Sequence, residues 1–186
     1  KTFLTLDHEK PVSLGVYASP THYQDFREDL DNDLKAAKTK IIEVGQKWGK
    51  QFGRSYGLME EYHVKDAEYV MLGLGSVMDN VKAAVDEMRK DGKKVGALHL
   101  RSFRPFPADE LKAVLNGKVV GVIERDFSPG SRPPLYTEVY EAIRETNAIV
   151  SSFAGGLGGR NITRADVKEL FEKLTAKKPV IEWVAK

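Results

Sequence analysis

Cysteine is absent from this 186-residue chain. No disulfide can staple it, and no thiolate within it can act as a nucleophile, bind zinc or ligate an iron–sulfur cluster. A dominant charge is also missing. Lys and Arg number 29 against 27 Asp and Glu, a net charge of +2. That is too weak a field to draw nucleic acid or a membrane surface by itself, so neither is expected as a partner. No apolar run reaches the length of a membrane-spanning helix, and no signal peptide opens the sequence. With the missing cysteine, this gives the expectation of a reducing, cytoplasmic location. The first residue is Lys1, which reads as the start of a fragment or processed piece. The phosphate-cradling P-loop pattern is missing. "GGLGGR" fails the G-x-G-x-x-G spacing and follows the last strand, where a dinucleotide fingerprint would follow the first.

What is present from Ala67 onward is an alternation. "AEYVMLGLGS" is a short apolar run, and "VMDNVKAAVDEMRKDG" follows with Val77, Val81, Ala84, Val85 and Met88 at helical spacing. Ser76, with Asp79 three residues on, predicts an N-cap, and Gly92 predicts the stop. "KKVGALHL", "KVVGVIE" and "AIVSSFA" repeat the strand signal, and "ADELKAVLNG", "LYTEVYEAIRET" and "RADVKELFEKLTA" the helix signal. Thr163 and Asp166 predict a capping box on the last helix. "PVIEW" is a possible further short strand. Parallel strands need such crossovers, so the expected fold is α/β. It is a doubly wound, mostly parallel sheet of four to five strands with helices on both faces.

Residues 1–66 read differently. "LDHEKPVSLGVYASPTHY" has the Pro/Gly/Ser punctuation of a connector. Phe26, Leu30, Leu34, Ala37, Ile41, Val44, Trp48 and Phe52 then form one stripe at steps of three and four. That spacing predicts a long amphipathic helix ending near Gly53 or Gly57. A stripe this long exceeds what a small domain can cover. The expected organisation is a connector and helix over 1–66 that pack on a neighbouring domain or subunit, followed by an α/β domain over 67–186.

The chemistry-bearing residues gather in loops. "RSFRPFP", residues 101–107, holds two arginines, two phenylalanines and two prolines between a strand and a helix. Its prolines exclude helix and central strand, leaving a stiff loop. In a parallel sheet the strand-to-helix loops share one edge, beside the helix N-termini. Arg101, Arg104, Arg125, Arg132 and Arg160 are therefore expected on the same edge, with Phe103, Phe106, Ser128 and the glycines Gly158 and Gly159. The plainer account is that the arginines pair locally, with Asp109, Glu110, Glu124 or Asp126, or pack against a subunit. The sharper one is an anion site, where helix N-termini and flexible glycines welcome a phosphate or carboxylate. Of the histidines His8, His22, His63 and His99, none has a metal-ligand partner at helical spacing. His99, between Leu98 and Leu100, reads as a satisfied core or subunit-contact residue. Ser128 lies outside any G-x-S-x-G elbow. No constellation here suffices for catalysis.

"YGLMEEYHVKDAEYVMLGLGS", "VKAAVDEMRKDGKKVGALHLRSFRPFP", "VIERDFSPGS…PLYTEVYEAI" and "FAGGLGGRNIT" resemble, in this order, the alpha-subunit region of 2-oxoacid:ferredoxin oxidoreductases, pyruvate:ferredoxin oxidoreductases in particular. The resemblance runs from about Leu6 to Leu174. It implies core domain II of that family, with a fold similar to the C-terminal domain of transketolase. It also implies an enzyme that oxidises a 2-oxoacid to acyl-CoA and CO2 and passes electrons to ferredoxin. Thiamine diphosphate with magnesium, [4Fe-4S] clusters and coenzyme A are implied for the whole enzyme, and none for this chain, which lacks the G-D-G…N diphosphate pattern. Its implied role is structural, in contact with other domains or subunits. The sequence departs from the family's usual glycine at Arg132-Pro133. Alternatives are a stand-alone anion-binding module, or the equivalent domain of a transketolase or 2-oxoacid dehydrogenase.

Overall fold

A computed structural model describes residues 7–10, 15 and 17–184. Leu6, residues 11–14 and Val16 of the expected connector lie outside the described residues. The chain divides into two compact units, residues 1–37 and residues 38–186.

The long helix α1 covers Pro20–Phe52 and ends one residue before Gly53, where φ is +74°. Its last turns are shaped by close approach. Gly45 is the helix's one fully buried residue among those described, and a Cβ there would sit 1.7 Å from the Tyr56 carbonyl oxygen. The Ser55 hydroxyl donates to the Gly45 carbonyl at 3.1 Å, so the chain folds back along the helix only because that position is bare.

The larger unit is built on one six-stranded sheet in the order β1-β3-β2-β4-β5-β6. The strands are β1 Met59–Tyr62, β2 Tyr69–Leu74, β3 Val95–Leu100, β4 Val119–Glu124, β5 Ile149–Gly155 and β6 Ile181–Val184. All neighbouring pairs are parallel except β1–β3. The helices are α2 Val77–Lys90, α3 Ala108–Leu115, α4 Pro134–Ile143 and α5 Arg164–Leu174. This is the mostly parallel, doubly wound α/β fold, with one edge strand more than expected. That strand, β1, lies in the stretch assigned to the connector. "MEEY" is four residues long with two adjacent glutamates and none of the four fully buried, so it carries no apolar alternation to read.

Alternation along the central strands fills two cores. Met71, Ala97, Ile123 and Phe153 face α2 and α5, while Leu72, Leu98, Val122 and Val150 face α3 and α4. Buried side chains of this size each contribute about 1.5–3 kcal/mol relative to exposure. Thr163 caps α5 with the reciprocal Asp166 bonds the sequence predicts. Ser76 does not cap α2 through its side chain. Its φ and ψ of −67° and −19° are already helical, and a capping side chain needs an extended backbone to reach back.

Candidate functional site at the carboxyl edge of the sheet

From β2 the chain crosses through α2 to β3 on one side, then through α3 to β4 on the other. Loops after β2 and β4 therefore diverge, leaving a crevice at the carboxyl ends of the strands where such folds place ligands. A cavity of about 410 Å³ is lined there by Ser76, Val77 and Asn80 of α2, by Arg125, and by Gly159, Arg160, Asn161 and Ile162.

Both walls of the crevice are pinned. The Arg125 side chain donates from Nε and Nη2 to the Gly156 carbonyl at 3.1 and 3.0 Å. Asn80 donates to the Ile162 carbonyl at 2.8 Å. The tight path after β5 requires left-handed backbone, with φ of +73° at Gly156, +63° at Gly158 and +84° at Gly159. Residues with a Cβ adopt those angles at a cost, which accounts for the glycines of "GGLGGR".

Of the expected edge residues, Arg125, Gly159 and Arg160 come together in this cavity, and the others do not. Arg101 forms an ion pair with Glu60 of β1 and lies 4.9 Å from the Tyr56 ring centre. Arg104 pairs with Glu138 of α4 at 2.5 Å and lies over the Phe103 ring. Phe103 and Phe106 meet edge-on at 6.2 Å, half-buried against the α3/α4 core. The Arg104–Pro105 bond is cis, and the Ser102 hydroxyl donates to the Pro105 carbonyl at 2.9 Å inside the same loop. Ser128 accepts the Ser131 N–H at 3.0 Å across the Pro129-Gly130 turn, and Arg132 lines a separate groove. Arg101 and Arg104 thus pair with Glu60 and Glu138, brought in by strand pairing and helix packing, instead of with the sequence neighbours Asp109, Glu110, Glu124 and Asp126.

Three polar groups take roles that the sequence did not assign them. Glu124, 4% exposed, ends β4 and accepts the backbone N–H groups of Leu135 and Tyr136 at 2.8 and 2.9 Å. It thereby caps α4, whose own start is Pro133-Pro134 with no capping side chain. Burial raises its pKa above the ordinary value, and the two amide donors pull it back down. His99 is half-buried, and its Nδ1 is buried with no hydrogen-bond partner among the described residues, which leaves the subunit-contact half of the expectation. Desolvation lowers its pKa, helped by the nearby Arg101 and Lys82 cations. Glu60 answers both cations. Its hydrogen bond from Lys82, at 2.7 Å, is the main cause of its lowered pKa, opposed by burial and assisted by Arg101.

Residues 67–167 match the family model described as pyruvate:ferredoxin oxidoreductase core domain II. The chain belongs to this family. Relatives along nearly the whole chain agree. It is 35% identical over 180 residues to the pyruvate synthase subunit PorA of Methanothermobacter thermautotrophicus, covering 96% of this chain and 46% of that one. It is 40% identical over 180 residues to the ketoisovalerate oxidoreductase subunit VorA of Pyrococcus abyssi, covering 95% of this chain and 45% of that one. The chain thus spans less than half the length of these relatives. Among solved structures, a 2-oxoglutarate:ferredoxin oxidoreductase from Magnetococcus marinus shares the fold. Its TM-score is 0.52 at 21% identity, over 85% of this chain and 24% of that one.

Proposed function

We propose that this chain is the core-domain-II part of the alpha subunit of a thiamine-diphosphate-dependent 2-oxoacid:ferredoxin oxidoreductase, where its role is structural. The whole enzyme in this reading converts a 2-oxoacid and coenzyme A to acyl-CoA and CO2, with the electrons passing to ferredoxin. The observation that carries it is the 35–40% identity to PorA and VorA subunits over 95–96% of the chain. The residues present do not fit the enzyme's cofactors. There is no cysteine for an iron–sulfur cluster, and no group of three or more His, Asp or Glu among the described residues could hold a metal. In this reading thiamine diphosphate, magnesium and the clusters sit in other parts of the assembly.

Its contribution is surface. Arg101, Arg104, Arg125 and Arg160, with Phe103 beside Arg104 and Phe106 beside Phe103, supply a contact edge for adjoining domains, since arginine and aromatic side chains are enriched at such contacts. The uncovered stripe of α1 is a second contact face. The test is co-expression of the full-length subunit with its companion chains, followed by coenzyme-A-dependent reduction of ferredoxin by pyruvate and by 2-oxoisovalerate. Activity in the assembly, and none from the 186-residue chain, supports the reading. Turnover by this chain alone, or an intact assembly inert toward 2-oxoacids, contradicts it.

The 410 Å³ cavity with Arg125 and Arg160 favours one second reading, in which the edge holds an anion. Calorimetric titration with inorganic phosphate separates the two. Saturable binding lost in Arg125→Ala supports the anion, and a flat titration leaves the contact role.

A further inference from the structure

A second hollow opens on the α4 face of the sheet, at the carboxyl ends of β5 and β6. It encloses about 200 Å³ between the loop after β4 and edge strand β6. Parallel register sets Ser152 beside Ile181 and Ala154 beside Trp183, so these four side chains share one face. Phe127 closes the aromatic wall, its ring 4.5 Å from that of Trp183 and tilted by 52°. Trp183 and Ile181 each remain 43% exposed, an apolar wall without a cover among the described residues.

Two polar groups in this wall are unspent. Ser152 is 1% exposed, and its buried Oγ has no hydrogen-bond partner. Buried hydroxyls in folded proteins are nearly always satisfied, so an unmet one lining a hollow points to a missing group. Arg132, at the rim, forms no hydrogen bond or ion pair among the described residues. Its charge reaches the Tyr136 hydroxyl, whose pKa burial raises and Arg132 lowers. The neighbouring acid does not neutralise it, because Glu182 is held by Lys173 at 2.6 Å.

We propose that this hollow binds a small carboxylate carrying one flat ring. The ring stacks on Phe127 and Trp183, the carboxylate meets Arg132, and the ligand's polar arm satisfies the Ser152 hydroxyl. Size restricts the ligand. A cavity of about 150 Å³ holds benzene, so about 200 Å³ holds one six-membered ring with a short arm. Charge restricts it further. Ser131 and Glu182 also line the hollow, but with Glu182 held by Lys173 the Arg132 guanidinium selects an anion over a neutral ring. The inference stands apart from the oxidoreductase assignment, and β6 lies outside the residues that match the family model.

The chain has two tryptophans, and Trp48→Phe leaves Trp183 as the sole indole reporter. In that background, phenylacetate is titrated while indole fluorescence and the Trp183 indole N–H resonance are followed. Acetate serves as the ringless control and benzyl alcohol as the uncharged one. Saturable binding of phenylacetate is expected with Kd on the order of 1 mM, as suits a ligand of so few atoms. Both controls bind at least about tenfold more weakly, Arg132→Leu weakens phenylacetate by a similar factor, and Ser152→Ala weakens it severalfold. Arg132 is exposed, so its variant tests the site without threatening the fold. A response that never saturates overturns the proposal. So does equal binding of benzyl alcohol, or phenylacetate affinity unchanged in Arg132→Leu.

Discussion

The chain carries two apolar surfaces and treats them oppositely. On the sheet, Met71, Leu72, Leu98, Val122 and Phe153 are wholly buried between helices. Along α1, Phe26, Leu30, Leu34, Val44, Trp48 and Phe52 sit at the same helical spacing a core helix would show, yet each is exposed. The first surface is a finished fold. The second is a face whose cover is not among the described residues, and large uncovered apolar faces mark contact sites. The same hydrophobic effect produces both, so periodicity in sequence identifies a buried face without saying which molecule buries it.

The largest effect separating the two surfaces is loss of core volume. Phe153→Ala is expected to destabilise the chain by about 3–5 kcal/mol, and Leu72→Ala by about 2–5 kcal/mol, measured by urea unfolding. A loss below about 1 kcal/mol at Phe153 breaks the contrast, because a position that collapses without cost is not core. Next in size is Glu124→Ala, which orphans the two α4 amides and is expected to cost about 1–3 kcal/mol. Glu124→Gln, which keeps one acceptor, retains part of that stability.

The pH dependence sharpens the picture at the β1 edge. His99 titrates below its ordinary value of 6.5 in the folded chain, so on acidification the unfolded chain takes up its proton first. Stability therefore declines as pH falls below about 6.5. Glu60 has a lowered pKa, so its contribution is full above 4.5 and is lost as pH falls through its folded value. Glu124, with a raised pKa, works in the opposite direction and relieves its own burial cost on acidification. Unfolding midpoints followed downward from neutrality should fall in two stages, and His99→Asn should flatten only the first. An unchanged first stage in that variant removes His99 from the account. The smallest effects belong to the stripe. Trp48→Ala and Val44→Lys in the isolated chain should change stability by no more than about 0.5 kcal/mol, the range of ordinary surface substitutions.

The sequence already showed most of the sheet. The run "VVGVIE" is a fully buried parallel strand, and continuous burial leaves a nearly continuous apolar signature. The α5 capping box was legible because Thr163 and Asp166 interact within one turn. Strand β1 was not, because "MEEY" owes its place to pairing with β3 and to the Glu60 ion pairs with Lys82 and Arg101, neither of which lies nearby in sequence. Arg101, Arg104, Arg125 and Arg160 follow strands β3, β4 and β5 in the chain, a placement that the order of elements alone gives. Their partners were not legible. The Glu124 cap on α4 and the open Ser152 hydroxyl depend on elements meeting in space, and local pattern carries no trace of either.

The central proposal is that the core is complete within the chain while the α1 stripe is completed by the rest of the proposed oxidoreductase. Hydroxyl-radical footprinting tests it most directly, applied to the isolated chain and to the full-length subunit assembled with its companion chains. The account predicts strong protection of Phe26, Leu30, Trp48 and Phe52 on assembly, with Leu72, Met78 and Phe153 unreactive in both states. Equal labelling of the stripe in the two states would contradict it.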